Sequence, residues 1–489
     1  MESSDLPSRW YEEIFQSLPV IAQNGPPPSL PEPLSWKDET ALSIGFVAIL
    51  VVTALANLIF CLPQRSSVFS ESESANVSQT QHLKEGRVDT LALTGLRGFA
   101  ALHVAVGHYC SVSPLHLDLI GGASMSFFYL LSGFVMTLGY AKDLVAGDGN
   151  TNLRDFNKRR FWRNRFARLF PMYMLTNILF FAVLHYGFKG KPMVGMLSST
   201  NFDFNLILTF LGLNMWIYPI DAWLPFDRDC CYHSVALPAN FVTWTVQTMA
   251  VFYIVFPYML PWLKAVKKRR LMIHLLFWLQ AVTFLSIVMI GTFGANNFSV
   301  AYWTARAWPL SRIPVFAMGC LSAVERMHGG GHVTCRFRST GGSEARRWGW
   351  RASILGLCYI LLLVAGVVIN RVPVKNAKIG AYRDPMVRAF LEALVPLLFI
   401  DLILALTHCG ENGILARLCR SKPMEWMGDI AMSFYMVHFS VILVVSMCLP
   451  HSFQSLTYWV VLGSFALVIF IGWFLTKFFE DPCRKCLRA

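Results

Sequence analysis

The stretch RRFWRNRFAR (159–168) packs five arginines into ten residues. It runs without a break into LFPMYMLTNILFFAVLHYG (169–187), nineteen residues with no Asp, Glu, Lys or Arg. An apolar block of that length, folded as a helix, is long enough to cross the hydrocarbon core of a bilayer. Arginines at one edge of such a block mark the cytoplasmic side. Ten further blocks repeat the pattern, at 41–62, 91–112, 120–140, 243–263, 272–293, 308–325, 351–369, 388–407, 430–449 and 457–479. A twelfth stretch, 205–218, is too short to span and reads as a re-entrant or interfacial piece. Over the whole chain 55% of residues are hydrophobic, only 15% are charged, and mean hydropathy is +0.48. Soluble domains carry about 25% charged residues. The composition therefore excludes a string of soluble domains, a disordered chain and a disulfide-dense scaffold.

The net charge of +13 invites a nucleic-acid reading, but the basic residues lie in short runs between apolar blocks. With eleven spans and the N-terminus outside, the inner loops hold 29 Lys and Arg, the outer segments hold 10, and Arg97, Arg312 and Arg388 fall within spans. Making 205–218 a full span would put KAVKKRR (264–270) opposite the arginine run at 159–168, which the positive-inside rule disfavours. The expected organisation is an acidic, Pro-rich extracytoplasmic tail (1–40), an extra transmembrane helix (41–62), a Ser-rich cytoplasmic linker (63–90) and a ten-helix unit over 91–489. The fold class is all-α, a multi-pass integral membrane bundle with a cytoplasmic C-terminus. The first 40 residues lack a basic segment followed by an apolar one, so no signal peptide is expected. No internal repeat is visible, which weakens an inverted-repeat transporter reading.

Ionisable residues inside spans are costly, and each is a functional candidate. Arg97 and His108 are eleven residues apart, which returns them to nearly one face, three turns apart. That places a fixed cation in the inner half and an imidazole near the outer end. The pair suits a ligand with an anionic part and a reactive end, or a proton path. It is equally compatible with Arg97 snorkelling inward and His108 being merely interfacial. Arg388 and Glu392 stand i, i+4 and can neutralise each other, Asp401 has no local partner, and His438 in SFYMVHFSV reads as a packed, hydrogen-bonded histidine. His103 lies on another face and reads as structural. His328, His332 and Cys335 have loose metal-like spacing but no fourth ligand nearby, so no metal site is expected. Arg165 and Arg168 stand at the inner end of a span. Arg there suits phosphate, and is also what topology and anionic lipid demand.

Three blocks together resemble the acyltransferase-3 family of polytopic membrane enzymes, which move acyl groups from coenzyme A to sugars and other acceptors. LTGLRGFAALHVAVGHY (93–109) carries an Arg-x10-His pattern at Arg97 and His108. SFFYLLSGFVM (126–136) and RFARLFPMY (165–173), with Arg165 and Arg168, follow in order. Weaker matches are RIPVFAMG (312–319), MGDIAMSFYMVHFS (427–440) and FEDPCRKCLR (479–488), which add Arg312, Tyr435, His438 and Glu480 as further candidates. The chain departs from the family at Thr94, where an Asp is usual, and at Met249 and Ala250, where bacterial members carry Glu.

The resemblance implies a donor, acyl-CoA with acetyl-CoA foremost, whose phosphates Arg165 and Arg168 would hold. Arg97 would take a phosphate or a polar part of the pantetheine arm. His108 would act as general base on an acceptor hydroxyl, or would carry the acyl group covalently. Expected partners are membrane lipids, acyl-CoA and an acceptor, with carbohydrate among the candidates, and no nucleic acid. The competing classes are a transporter or non-catalytic receptor on the same fold, and another polytopic acyltransferase family. Cys230 and Cys231 with Asp221, Asp227 and Asp229 in the outer loop 188–242, and the sequons at Asn76 and Asn297, are further features.

Overall fold

The computed structural model describes residues 88–112, 119–141, 156–183, 202–223, 238, 240–293, 298–328, 344–371, 377–448 and 457–488. The expected tail, the extra helix 41–62 and the linker up to residue 87 lie outside the described residues, as do His332, Cys335, Cys230, Cys231, Asn76 and Asn297. All regular structure among the described residues is helical.

In chain order the helices are α1 (Leu91–Val112), α2 (Ala123–Tyr140), α3 (Lys158–Ala182), α4 (Phe202–Leu211), α5 (Asn214–Trp223), α6 (Trp244–Ala265), α7 (Arg269–Phe293), α8 (Phe298–Ala307), α9 (Pro309–Met327), α10 (Glu344–Arg371), α11 (Ala377–His408), α12 (Ile414–Cys419), α13 (Lys422–Cys448), α14 (Thr457–Leu475) and α15 (Asp481–Arg488). A 3₁₀ turn at Phe241–Thr243 leads into α6, and a π-helical turn at Thr476–Glu480 joins α14 to α15.

Six helical stretches among the described residues are long and apolar enough to cross a membrane: α2, α6 with its 3₁₀ turn, α7, α10, the Met386–His408 part of α11, and α14 continued through α15. The pair α8 and α9, bent by 41° at Trp308 and Pro309, makes a seventh if it counts as one span. Helices α1, α3 and α13 have 22, 25 and 27 residues, enough to cross at 1.5 Å per residue. Charged residues such as Arg97, the arginine run and Asp429 dilute their apolar character. The short stretch 205–218 is not one helix. It breaks into α4 and α5 at Gly212, whose φ of +71° an L side chain rarely adopts.

Burial separates the central helices from those facing lipid. In the Met386–His408 stretch of α11, 83% of the apolar window is buried, against 11% for α10. Helix α10 turns Leu357, Ile360, Leu361, Val364 and Val368 outward. Two tight helix contacts explain glycines in the blocks quoted above. A Cβ on Gly95 would meet the carbonyl of Cys419, and one on Gly428 would meet that of Thr94, so α1 lies backbone-close to α12 and α13. Gly133 of α2 and Gly319 of α9 meet the carbonyls of Phe316 and Leu130 in the same way. Small residues at helix interfaces allow this close approach in membranes, where packing drives association.

Two buried carboxylates have partners on neighbouring helices. Asp401, without a partner along its own helix, accepts from Arg351 of α10 at its Oδ2 at 2.9 Å, with both side chains buried. Spacing along one helix does not show such a partner. Glu392 is likewise held across helices, by Arg312 at 3.0 Å and Arg306 at 3.6 Å. The i, i+4 spacing offers Arg388 alone, whereas these two arginines come from α8 and α9.

Candidate active site

Helix α1 presents Arg97 and His108 to the same neighbour, α13, as their spacing requires. At one end Arg97 donates from Nε, at 2.9 Å, and from Nη2 to the carbonyl of Gly428. Eleven residues along, or about 16 Å of helix, the His108 ring lies 5.3 Å from the His438 ring and 5.2 Å from that of Phe439, centroid to centroid. His108 is half-buried, whereas His438 is fully buried.

The tautomer of His438 follows from its hydrogen bond to α13's own backbone. Its Nδ1 lies 2.6 Å from the carbonyl of Tyr435. A carbonyl only accepts, so Nδ1 carries the hydrogen and Nε2 keeps a lone pair. That Nε2 is buried and has no hydrogen-bond partner among the described residues. The expectation of a packed histidine is right for one nitrogen and incomplete for the other.

The segment of α13 around His438 is pinned from the turn before α6. Asn240 donates from Nδ2 to the carbonyl of Met436 at 2.7 Å and accepts from Ser440 at 3.0 Å. The Tyr435 hydroxyl lies 3.2 Å from both the Val242 carbonyl and Thr245 Oγ1. Asn177 of α3 accepts from the Asn240 backbone at 2.8 Å. Tyr435 thus positions the histidine through its backbone carbonyl and its hydroxyl anchor. His103 is structural, as expected: its Nδ1 lies 2.7 Å from Ser124 Oγ and its Nε2 lies 2.8 Å from the Leu119 carbonyl.

Beside the two histidines stands a buried ionic cluster. Glu392 accepts from Arg312 Nη2 at 3.0 Å and from the Tyr302 hydroxyl at 2.6 Å. Arg312 also donates from Nε to the carbonyl of Arg306 at 3.0 Å. Gly122 leaves room for the carboxylate, since a Cβ there would collide with Glu392 Oε1. Arg306 lies over the rings of Trp244, Tyr302 and Trp303 at 5.2–5.6 Å. His108 lies in the electrostatic field of Arg306 and Arg388. Arg312 is a candidate from the sequence, whereas Arg306 falls between the expected spans 272–293 and 308–325. The signal that was available is WTARAWPLSR (303–312), where arginines alternate with Trp near a proline-marked bend.

At the other end of α1 a basic cluster forms. Arg97 is in the field of Arg168, Asp429, Glu480 and Arg484, and Arg168 in that of Arg165 and Glu480. Arg165 donates to the Tyr140 hydroxyl at 2.9 Å. Arg168 donates no hydrogen bond among the described residues. Glu480 sits on the π-helical turn and accepts from Ser433 at 2.7 Å.

At the Met249 and Ala250 positions, Ala250 faces outward from the bundle and Met249 packs partly buried against the core. Their neighbour Gln247 is buried and fully engaged. It donates to the Tyr173 hydroxyl at 2.7 Å and to Asn214 at 2.8 Å, and accepts from the backbone of Met215 at 3.1 Å. It therefore ties α5 to the bundle, while the Tyr173 hydroxyl donates to the Thr209 carbonyl and ties α4. An open cavity of about 410 Å³, lined by Arg346, Trp350, Glu411 and Arg417 among others, shares no residue with either cluster.

The sequence profile of a family described as an acyltransferase domain matches residues 90–477. The chain is similar to the acyltransferase MdmB of Streptomyces mycarofaciens, 25% identical over 421 residues, covering 81% of this chain and 92% of that one. It is also similar to the peptidoglycan O-acetyltransferase OatA of Listeria monocytogenes, 21% identical over 409 residues. That match covers 81% of this chain and 56% of the Listeria protein, so the chain spans little more than half of that relative. No solved structure matches.

Proposed function

The chain belongs to this acyltransferase family, whose domain covers residues 90–477, and on that premise we propose that it moves an acyl group, acetyl foremost, from cytosolic acyl-CoA to an acceptor hydroxyl on a carbohydrate, lipid or small molecule. The protein is an acyl-transferring, multi-pass membrane enzyme, and this argues against the transporter and receptor readings. The name of the Listeria relative favours acetyl as the group and a hydroxyl as the acceptor. The division of 29 basic residues against 10 supports eleven spans with the N-terminus outside, which puts the basic cluster on the cytoplasmic side.

One observation carries the reading: a half-buried His108 stands against a fully buried His438 whose tautomer is set by the Tyr435 carbonyl. In the proposed step His108 takes the proton from the acceptor hydroxyl. The oxygen attacks the thioester carbonyl, a tetrahedral oxyanion forms, and it collapses to the ester. The coenzyme A sulfur leaves with the electron pair and receives the proton from His108. Arg306, held over three aromatic rings near His108, supplies positive charge beside the developing oxyanion. Arg97 keeps Nη1 for the donor while its other nitrogens clasp α13. Arg165 and Arg168 would bind the donor's phosphates.

The test is acyl transfer from labelled acetyl-CoA by purified protein in nanodiscs. His108→Ala is expected to lower the rate by roughly 10²–10⁴-fold without loss of the folded state. Unimpaired transfer by that variant contradicts the mechanism.

A further inference from the structure

The helix after the π-helical turn, α15, returns to the cationic surface of α3. Arg163 of α3 donates to the carbonyl of Arg488 at 2.8 Å, docking α15 on that helix. This brings Arg488 into the field of Arg165, Arg168 and Arg484, and Arg484 into that of Arg168 and Arg97. Five guanidinium groups share the neighbourhood, while Asp429, Glu480 and Asp481 supply three carboxylates. Asp481 is engaged by Arg484 at 2.5 Å and Glu480 by Ser433.

The arginines are poorly satisfied. Arg168 donates no hydrogen bond among the described residues, and the buried Nε atoms of Arg165 and Arg488 have no partner there. Like charges gathered with donors unused are an unfavourable arrangement for the unliganded protein. A polyanion relieves it, and Arg matches phosphate in a bidentate way.

We propose that α15 completes a phosphate site, in which Arg484 and Arg488 join Arg165 and Arg168 to hold the 3′-phosphate and diphosphate end of coenzyme A. This rests on the acyl-CoA reading above and extends it to a helix that the reading does not use. A 3′-phosphate monoester alone carries about two negative charges near neutral pH. Anionic lipid headgroups offer the same chemistry, and the experiment separates the two sources.

The full chain is reconstituted in neutral-lipid nanodiscs and titrated with CoA, and thermal unfolding is recorded without ligand in neutral and in anionic-lipid nanodiscs. The double variant Arg484→Ala/Arg488→Ala is expected to bind CoA at least about tenfold more weakly, with an unfolding midpoint no lower than that of wild type in neutral lipid. Arg488→Lys, which keeps the charge and loses the planar fork, is expected to fall between the two and serves as the readout if the double variant does not fold. CoA affinity unchanged in the variants, with wild type still binding CoA, overturns this proposal and leaves the acyl-CoA reading standing. Stabilisation by anionic lipid that the variants lose, with CoA affinity intact, assigns the site to headgroups and likewise overturns it. Absence of both CoA binding and acyl-CoA-dependent transfer in the wild type overturns the acyl-CoA reading itself.

Discussion

The two ends of α1 treat arginine in opposite ways. Near His108, Arg312 and Arg306 converge on the buried Glu392 carboxylate, with the Tyr302 hydroxyl as a further donor. Near Arg97, Arg165, Arg168 and Arg488 form no ion pair among the described residues: Arg165 donates to the Tyr140 hydroxyl and Arg168 to no described residue. A buried cluster built on an ion pair holds helices together, though Arg312 Nη1 still lacks a hydrogen-bond partner among the described residues, and guanidinium groups without a carboxylate suit an anionic ligand. The difference teaches which charges are tied to the fold, and it supports the proposal that the others meet the substrate.

Breaking the ion-paired end should cost the most stability. Glu392→Ala leaves Arg312 buried without its carboxylate, and loss of one partner of such a pair costs about 3–5 kcal/mol. The expected outcome is a lower unfolding midpoint in nanodiscs, with CoA affinity of the folded fraction unchanged. If the variant is as stable as wild type, the cluster does not hold α8, α9 and α11 together. Asp401→Ala, which takes this carboxylate from Arg351 between α10 and α11, should destabilise by the same mechanism but less. Arg351 keeps 7% of its side chain exposed, against none for Arg312, and rests near the Trp348 ring at 5.5 Å. A midpoint drop larger than that of Glu392→Ala would reverse the assigned ranking.

The underpaired end should respond in binding and hardly in stability. Arg168→Gln removes a guanidinium that donates to no described residue. Its unfolding free energy should stay within about 0.5 kcal/mol of wild type, as for substitutions that break no buried contact. Its KM for acyl-CoA should rise by about tenfold. A large stability loss with unchanged KM would make Arg168 a structural residue and erase the contrast between the two ends.

Much of this contrast was legible in the sequence, at the level of helices. Apolar length marked the six stretches of the described residues that are long and apolar enough to span, and the x10 spacing put Arg97 and His108 on one face of α1. The glycines of the quoted blocks fall where α1 meets α13 and α2 meets α9, because close backbone approach tolerates no Cβ. Pairings between helices were not legible. Arg351 with Asp401 is separated by 50 positions and Arg312 with Glu392 by 80, and periodicity along one helix carries no information about its neighbour. The lone pair on His438 was hidden for another reason. A histidine's free nitrogen is decided by the carbonyl its other nitrogen meets, here that of Tyr435, which appears only once α13 is folded and pinned by Asn240. The Arg484 and Arg488 contribution was masked by position, because a short basic helix beside a last span reads as topology.

The central claim is that His108 and His438 act together in acyl transfer. The most direct test is a double-mutant cycle on single-turnover transfer from labelled acetyl-CoA, comparing wild type, His108→Ala, His438→Ala and the double variant in nanodiscs. Residues that act as a unit are strongly non-additive. The double variant should therefore be no slower than His108→Ala alone, with all four proteins unfolding at similar temperatures. Independent, multiplying losses, or full activity in His438→Ala, would contradict the account.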